Sequence, residues 1–161
     1  MSLILSPFRR KDSNRTFLRI SNGCMTIASN DPEKNGKVVY GVSGTLDSVG
    51  CHCVAVRNSK TVFYDFNLTD KDEHYNISVT GNCAASLIFS LATVRDFSGE
   101  FLFEVSRSKD GNFSDVHIWK NGQMLKWYIP RDQWPKGQEL KTLVDQNLTV
   151  INTMMKSPIA K

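Results

Sequence analysis

Phe17-Leu18-Arg19-Ile20-Ser21-Asn22-Gly23-Cys24-Met25-Thr26-Ile27 is the stretch on which the fold class turns. Two alternating runs flank an Asn-Gly pair, and both central positions of a two-residue hairpin turn need positive φ, which Asn and Gly tolerate best. Such a turn fixes the register. Ile20 faces Met25 and Leu18 faces Ile27 on an apolar side, which leaves Phe17, Arg19, Ser21, Cys24 and Thr26 opposite. The same grammar returns in Val116-His117-Ile118-Trp119-Lys120-Asn121-Gly122-Gln123-Met124-Leu125-Lys126-Trp127-Tyr128-Ile129. There Lys120 is expected to face Gln123, Trp119 Met124, Ile118 Leu125, His117 Lys126 and Val116 Trp127. Val116, Ile118, Leu125, Trp127 and Ile129 would enter the core. His117, Trp119, Met124, Lys126 and Tyr128 would face out.

Between the hairpins, residues 38–46, 51–57, 61–68, 75–80 and 101–106 read as further strands, and 84–94 as one short helix. Pro130 and Pro135 bracket Trp134 and end the β body. Beyond them Leu140, Leu143, Val144, Leu148, Ile151, Met154 and Met155 recur at helical spacing, a stripe that either packs back on the body or docks a second subunit. Several short strands with one mid-chain helix predict an all-β fold, a small closed barrel or a sandwich. The expected organisation is a basic arm over 1–14, a β domain over 15–130 and a helical extension over 131–161.

The chain has 161 residues, of which 40% are apolar and 22% charged, a balance that suits one globular domain. No apolar run approaches the ~20 residues that span a bilayer, and Met1–Leu5 is too short for a signal-peptide core. A cytoplasmic protein with no membrane partner is expected. The net charge of +4 is unevenly spread: residues 1–19 carry five bases against one acid, residues 120–161 seven against three, and the stretch between eight against twelve. Basic ends on an acidic body suit a polyanion, which relieves the repulsion within each cluster.

The sequence offers little for catalysis. It lacks a nucleophile elbow, a phosphate-binding loop, a zinc-protease motif and a dinucleotide turn, so no catalytic residue, cofactor or enzymatic activity is expected. Cys51-His52-Cys53 invites a zinc site, but on a strand His52 points away from both cysteines, and no metal is expected. Five Asn-X-Ser/Thr sequons, at Asn14, Asn67, Asn76, Asn112 and Asn147, carry little weight without a secretion signal.

The outward faces carry more information. Solvated strand faces normally hold Thr, Ser, Lys and Glu, yet both hairpins offer rings beside cations. On the intervening strand Tyr64 and Phe66 fall on the core side, and Phe63 is left outside. Rings stack bases while cations follow phosphates, which is the chemistry of single-stranded nucleic acid. Phe17, Trp119, Tyr128 and Phe63 are the expected stacking residues. Arg9, Arg10, Lys11, Arg15, Arg19, Lys126 and His117 are the expected phosphate contacts. The partner is single-stranded DNA, with RNA open on the same chemistry. The competing reading is a virion or assembly β-sandwich whose surface rings make subunit contacts.

Several stretches also carry a family resemblance, over about Arg15 to Tyr128. They are Leu18-Arg19-Ile20-Ser21-Asn22-Gly23-Cys24-Met25, Gly41-Val42-Ser43-Gly44-Thr45-Leu46, Phe66-Asn67-Leu68-Thr69-Asp70, His74-Tyr75-Asn76-Ile77-Ser78-Val79 and Ile118-Trp119-Lys120-Asn121-Gly122-Gln123-Met124-Leu125. In these the chain resembles the small OB-fold single-stranded DNA-binding proteins of tailed bacteriophages, especially those of crAss-like and related phages. The resemblance implies an OB-like barrel that coats single strands in replication or recombination, without sequence preference or cofactor. It places Phe17, Arg19, Trp119, Lys126 and Tyr128 in the binding groove. Family members often end in an acidic tail, whereas this sequence carries Lys156 and Lys161 on an apolar stripe. Self-association through the C-terminal helix takes the place of recruitment by a tail.

Overall fold

The computed structural model describes residues 15–107 and 114–156. Both Asn-Gly pairs form the expected turns, with φ of 52° and 78° at Asn22 and Gly23 and of 55° and 78° at Asn121 and Gly122, the pattern of a type I′ turn. The first joins β1 (Arg15–Ser21) to β2 (Cys24–Ala28) in the expected register, Ile20 opposite Met25 and Leu18 opposite Ile27.

Seven further strands complete one mixed sheet. They are β3 (Val38–Val39), β4 (Gly41–Val56), β5 (Ser59–Asp70), β6 (Glu73–Val79), β7 (Glu100–Arg107), β8 (Ser114–Lys120) and β9 (Gln123–Met124). Their order is β3-β2-β1-β6-β5-β4-β7-β8-β9. The β1–β6 ladder is parallel and all others are antiparallel. The protein is mostly β, as expected.

Two expected strands, 38–46 and 51–57, are largely one. β4 runs 16 residues without a break, and a bulge between Leu46 and Ser48 absorbs the extra residue as it passes from β7 to β5.

The sheet curls without closing, a departure from the expected closed ring. Only Tyr40 separates edge strand β3 from β4 in the middle of the sheet, and its carbonyl accepts from Val105 N–H at 2.9 Å. The first hairpin's tip thereby meets the ends of β7 and β8. Gly23 N–H donates to Ser114 Oγ at 2.9 Å and the Arg107 guanidinium to the Asn22 carbonyl at 3.1 Å. Turn and side-chain bonds occupy the place a ladder would need.

The inner face carries Leu18, Met25, Leu46, Val49, Phe66, Leu68, Ile77, Phe101, Phe103 and Ile118, all buried. Helix α1 (Gly81–Leu91) fills it, with Ala84 to Leu91 buried on every side. It begins and ends three residues before the expected 84–94. Helix α2 (Gln138–Lys156) buries Val144, Asn147, Leu148 and Ile151 and packs on α1 and β4. Val144, Leu148 and Ile151 of the C-terminal stripe are thus covered by their own chain, and Leu140, Leu143, Met154 and Met155 are partly buried against it. No helix among the described residues is long and apolar enough to cross a membrane.

The second hairpin keeps its register only at the turn. Trp119 faces Met124, Lys120 faces Gln123, and Leu125 N–H still reaches the Ile118 carbonyl at 2.8 Å. The chain then leaves β8, and Tyr128 N–H bonds the Phe89 carbonyl of α1 at 2.9 Å. The expected pairs His117–Lys126 and Val116–Trp127 do not form. Trp127 is only partly buried, stacked on His117 at 6.4 Å and tilted against Trp134 at 5.2 Å, which corrects its expected place in the core. Trp134 in turn meets Phe89 edge-on at 5.2 Å and donates Nε1–H to the Ile129 carbonyl. This satellite aromatic cluster draws residues 126–129 out of the ladder.

Candidate nucleic-acid interface

The outer face of β1, β6, β5 and β4 forms the floor of a cleft of about 1160 Å³. Strand parity decides what lines it. The odd residues of β1 and β5 and the even ones of β6 and β4 meet in lateral rows. One row runs Phe17–Asn76–Asn67–Ser48. The next, two residues along, runs Arg19–Ser78–Asp65–Gly50. The third ends in Phe63–His52. Successive rows lie about 6.8 Å apart, the repeat of a pleated strand.

The first row is a hydrogen-bonded relay. Asn67 Oδ1 accepts from Arg15 Nη1 at 2.8 Å and from Asn76 Nδ2 at 2.9 Å, while Asn67 Nδ2 donates to Ser48 Oγ at 2.9 Å. Asn76 is 6% exposed, and a buried amide needs such partners. The third row is a wall: the His52 and Phe63 rings stack at 5.6 Å and 15°. His52 Nδ1 lies 2.6 Å from Asp65 Oδ2, which ties the wall to the middle row. At the far end Thr69 bonds the Asp47 carboxylate and sits 3.1 Å from His74 Nδ1.

The cleft thus combines two phenyl rings with Arg15 and Arg19. Phe17 and Phe63 are half-buried, and Arg19 is exposed. Four residues expected from sequence, Phe17, Phe63, Arg15 and Arg19, come together here. Four others do not line the cleft: His117, Trp119, Lys126 and Tyr128. Trp119 lies in a separate row with Leu102 and Met124 and donates Nε1–H to Glu104 Oε1 at 3.0 Å. His117 is stacked on Trp127, Lys126 is exposed, and Tyr128 is 62% exposed on the segment that crosses to α1. The common trough expected from both hairpins is therefore supplied by the first hairpin and by β4, β5 and β6. Arg9, Arg10 and Lys11 lie outside the described residues.

The reading of sequence alone missed Ser48, Gly50, His52, Asp65, Asn67 and Asn76. Alternation along β5 from Phe63 could have found Asp65 and Asn67. The remaining neighbours depend on the parallel β1–β6 pairing, which no local pattern announces. His52 turns into the cleft while Cys51 and Cys53 take the opposite face. The Cys51 thiol is pushed above its ordinary value by burial and then by the Asp145 carboxylate of α2. Among the described residues no group of three or more His, Cys, Asp or Glu is placed to hold a metal ion. Family models, curated proteins and solved structures yield no match to this chain.

Proposed function

We propose that this chain is a non-enzymatic single-stranded DNA-binding protein that holds the strand in the cleft. The carrying observation is the grouping of Phe17, Phe63, Arg15 and Arg19 on one outer sheet face, lining a cleft of about 1160 Å³. Aromatic rings stack bases without regard to sequence, and the arginines follow the phosphates. The basic residues of 1–19, which lead in the sequence into β1, add to the positive charge that would attract the strand. An OB-like barrel in phage DNA replication or recombination is the setting the family resemblance implies, and the support for it here is a mostly β chain with a cleft on the outer face of its sheet.

The test is binding of a fluorescent mixed-sequence single strand at several salt concentrations. Affinity should fall on a log–log line with salt, at a slope of about −0.7 per phosphate neutralised, and Arg19→Ala should flatten it by about one such unit. A salt-independent affinity, or none for any single strand, would overturn the reading.

One observation favours a second reading, subunit contacts in an assembly. Leu102 and Met124, 37% and 45% exposed, flank Trp119 in an apolar row. Light scattering that finds a large oligomer indifferent to oligonucleotide would favour it.

A further inference from the structure

The middle row of the cleft differs from its neighbours in chemistry and in the size of its side chains. It runs from Arg19 through Ser78 and Asp65 to Gly50. Ser78 is small, and a Cβ built on Gly50 would meet nothing within 4 Å. The row is a trench between two walls, Phe17–Asn76–Asn67–Ser48 on one side and Phe63–His52 on the other. Its single carboxylate, Asp65, sits at the bottom with a side chain only 19% exposed. Oδ2 is engaged by His52 at 2.6 Å, whereas among the described residues Oδ1 has a single long contact, 3.5 Å from Asn76 Nδ2.

A carboxylate in the floor repels phosphate, so the backbone of a bound strand cannot lie over it. What can lie there is a base edge that donates. Arg19 stands two ladder spacings away, about 9.5 Å, where the phosphate of the same nucleotide would sit. From this charge sorting, and resting on the single-strand reading above, we infer that the trench takes an amino-bearing nucleobase whose exocyclic amine donates to Asp65 Oδ1. His52 is a positioning residue that fixes the carboxylate through Nδ1. Cytosine offers N4–H₂ at the position where thymine offers the O4 acceptor. The cleft should therefore discriminate between bases, in contrast to the indifference that stacking alone gives.

The experiment compares the two homopyrimidine strands, oligo-dC and oligo-dT of equal length, at one salt concentration and neutral pH. The unaltered protein should bind oligo-dC about tenfold more tightly, a carboxylate–cytosine contact lying at the lower end of the range for base-edge readout. Asp65→Asn replaces an acceptor-only group with an amide that serves either base, and the ratio should fall towards one. Gly50→Leu fills the trench from a position where the added Cβ meets nothing; it should abolish binding of both strands while leaving the thermal melt unchanged. Equal affinities in the unaltered protein overturn the inference. So does a preference that survives Asp65→Asn, or undiminished binding by Gly50→Leu. Failure of the unaltered protein to bind either strand overturns the single-strand reading itself, an outcome distinct from equal binding of the two.

Discussion

Gly23, at the tip of the first hairpin, is constrained on two counts. Its φ of 78° lies where side chains are strained, and an added Cβ would stand 2.8 Å from Arg107 Cβ. Gly23→Ala should cost more than about 1 kcal/mol, since it combines an unfavourable φ with a backbone clash; chemical denaturation measures it, and an unchanged midpoint would refute the tip contact. The cleft rings call for the opposite pattern, loss of binding without loss of fold. Phe17→Ala and Phe63→Ala should each weaken single-strand binding by about 1–3 kcal/mol, whereas Trp119→Ala should leave it unchanged, because Trp119 lies outside the cleft. Titrations of the three variants against one oligonucleotide check this, and a loss confined to Trp119→Ala would move the site to β8. Parity at the Asn-Gly turn made Phe17 and Arg19 legible, and alternation along β5 gave Phe63. The same alternation reaches Asp65, whereas Asn76 and Ser48 were not legible, because their place in the cleft comes from pairing between strands distant in sequence.

At the scale of elements, local signals fixed what local forces decide. Both turns formed as written, and the C-terminal stripe became a helix. Residues 126–129 failed as a strand because Trp127 found Trp134 and His117, a non-local gain that outweighed a few edge hydrogen bonds. The docking of α2 is likewise non-local, and it carries a titratable clasp. Tyr64 OH donates to Asp145 Oδ1 at 2.6 Å, and Lys141 Nζ lies 2.8 Å from Asp145 Oδ2. Burial pushes the Asp145 carboxyl up, but hydrogen bonds from Lys141 and Tyr64 outweigh it and hold the group below its ordinary 3.8. A folded-state value below the unfolded one adds stability at pH above the unfolded value, and this is lost as pH falls through the folded value. Asp145→Asn should therefore lower the melting temperature at neutral pH and shrink the loss seen on acidification below about pH 4. Melts of both proteins from neutral to acid pH decide it, and parallel curves would show that the clasp contributes nothing. Tyr64→Phe removes one bond of the clasp and should cost about 1–2 kcal/mol.

For the whole molecule, the decisive element is β4. From Gly41 to Thr45 it pairs with β7, and from Thr45 to Val56 with β5, so one strand joins the half of the sheet that carries the cleft to the half that carries the aromatic cluster. The halves cross at Gly44, where an added Cβ would lie 2.7 Å from the Thr69 carbonyl oxygen. That is backbone, and no side-chain rotation can relieve it. Gly44→Val should destabilise the protein by about 1–3 kcal/mol, the usual cost of forcing atoms into filled space. The form of the unfolding curve tells more than its midpoint. Trp127 and Trp134 report from beside α1 and β8, whereas far-ultraviolet circular dichroism reports on all strands. If β4 makes the two halves one cooperative unit, both probes should give coincident urea transitions in the unaltered protein. In Gly44→Val both should shift together with the slope preserved. A fluorescence transition that keeps its original midpoint while the dichroism moves would mean that the β7–β8 side unfolds on its own. The cleft would then rest on β1, β6, β5 and the second half of β4 alone.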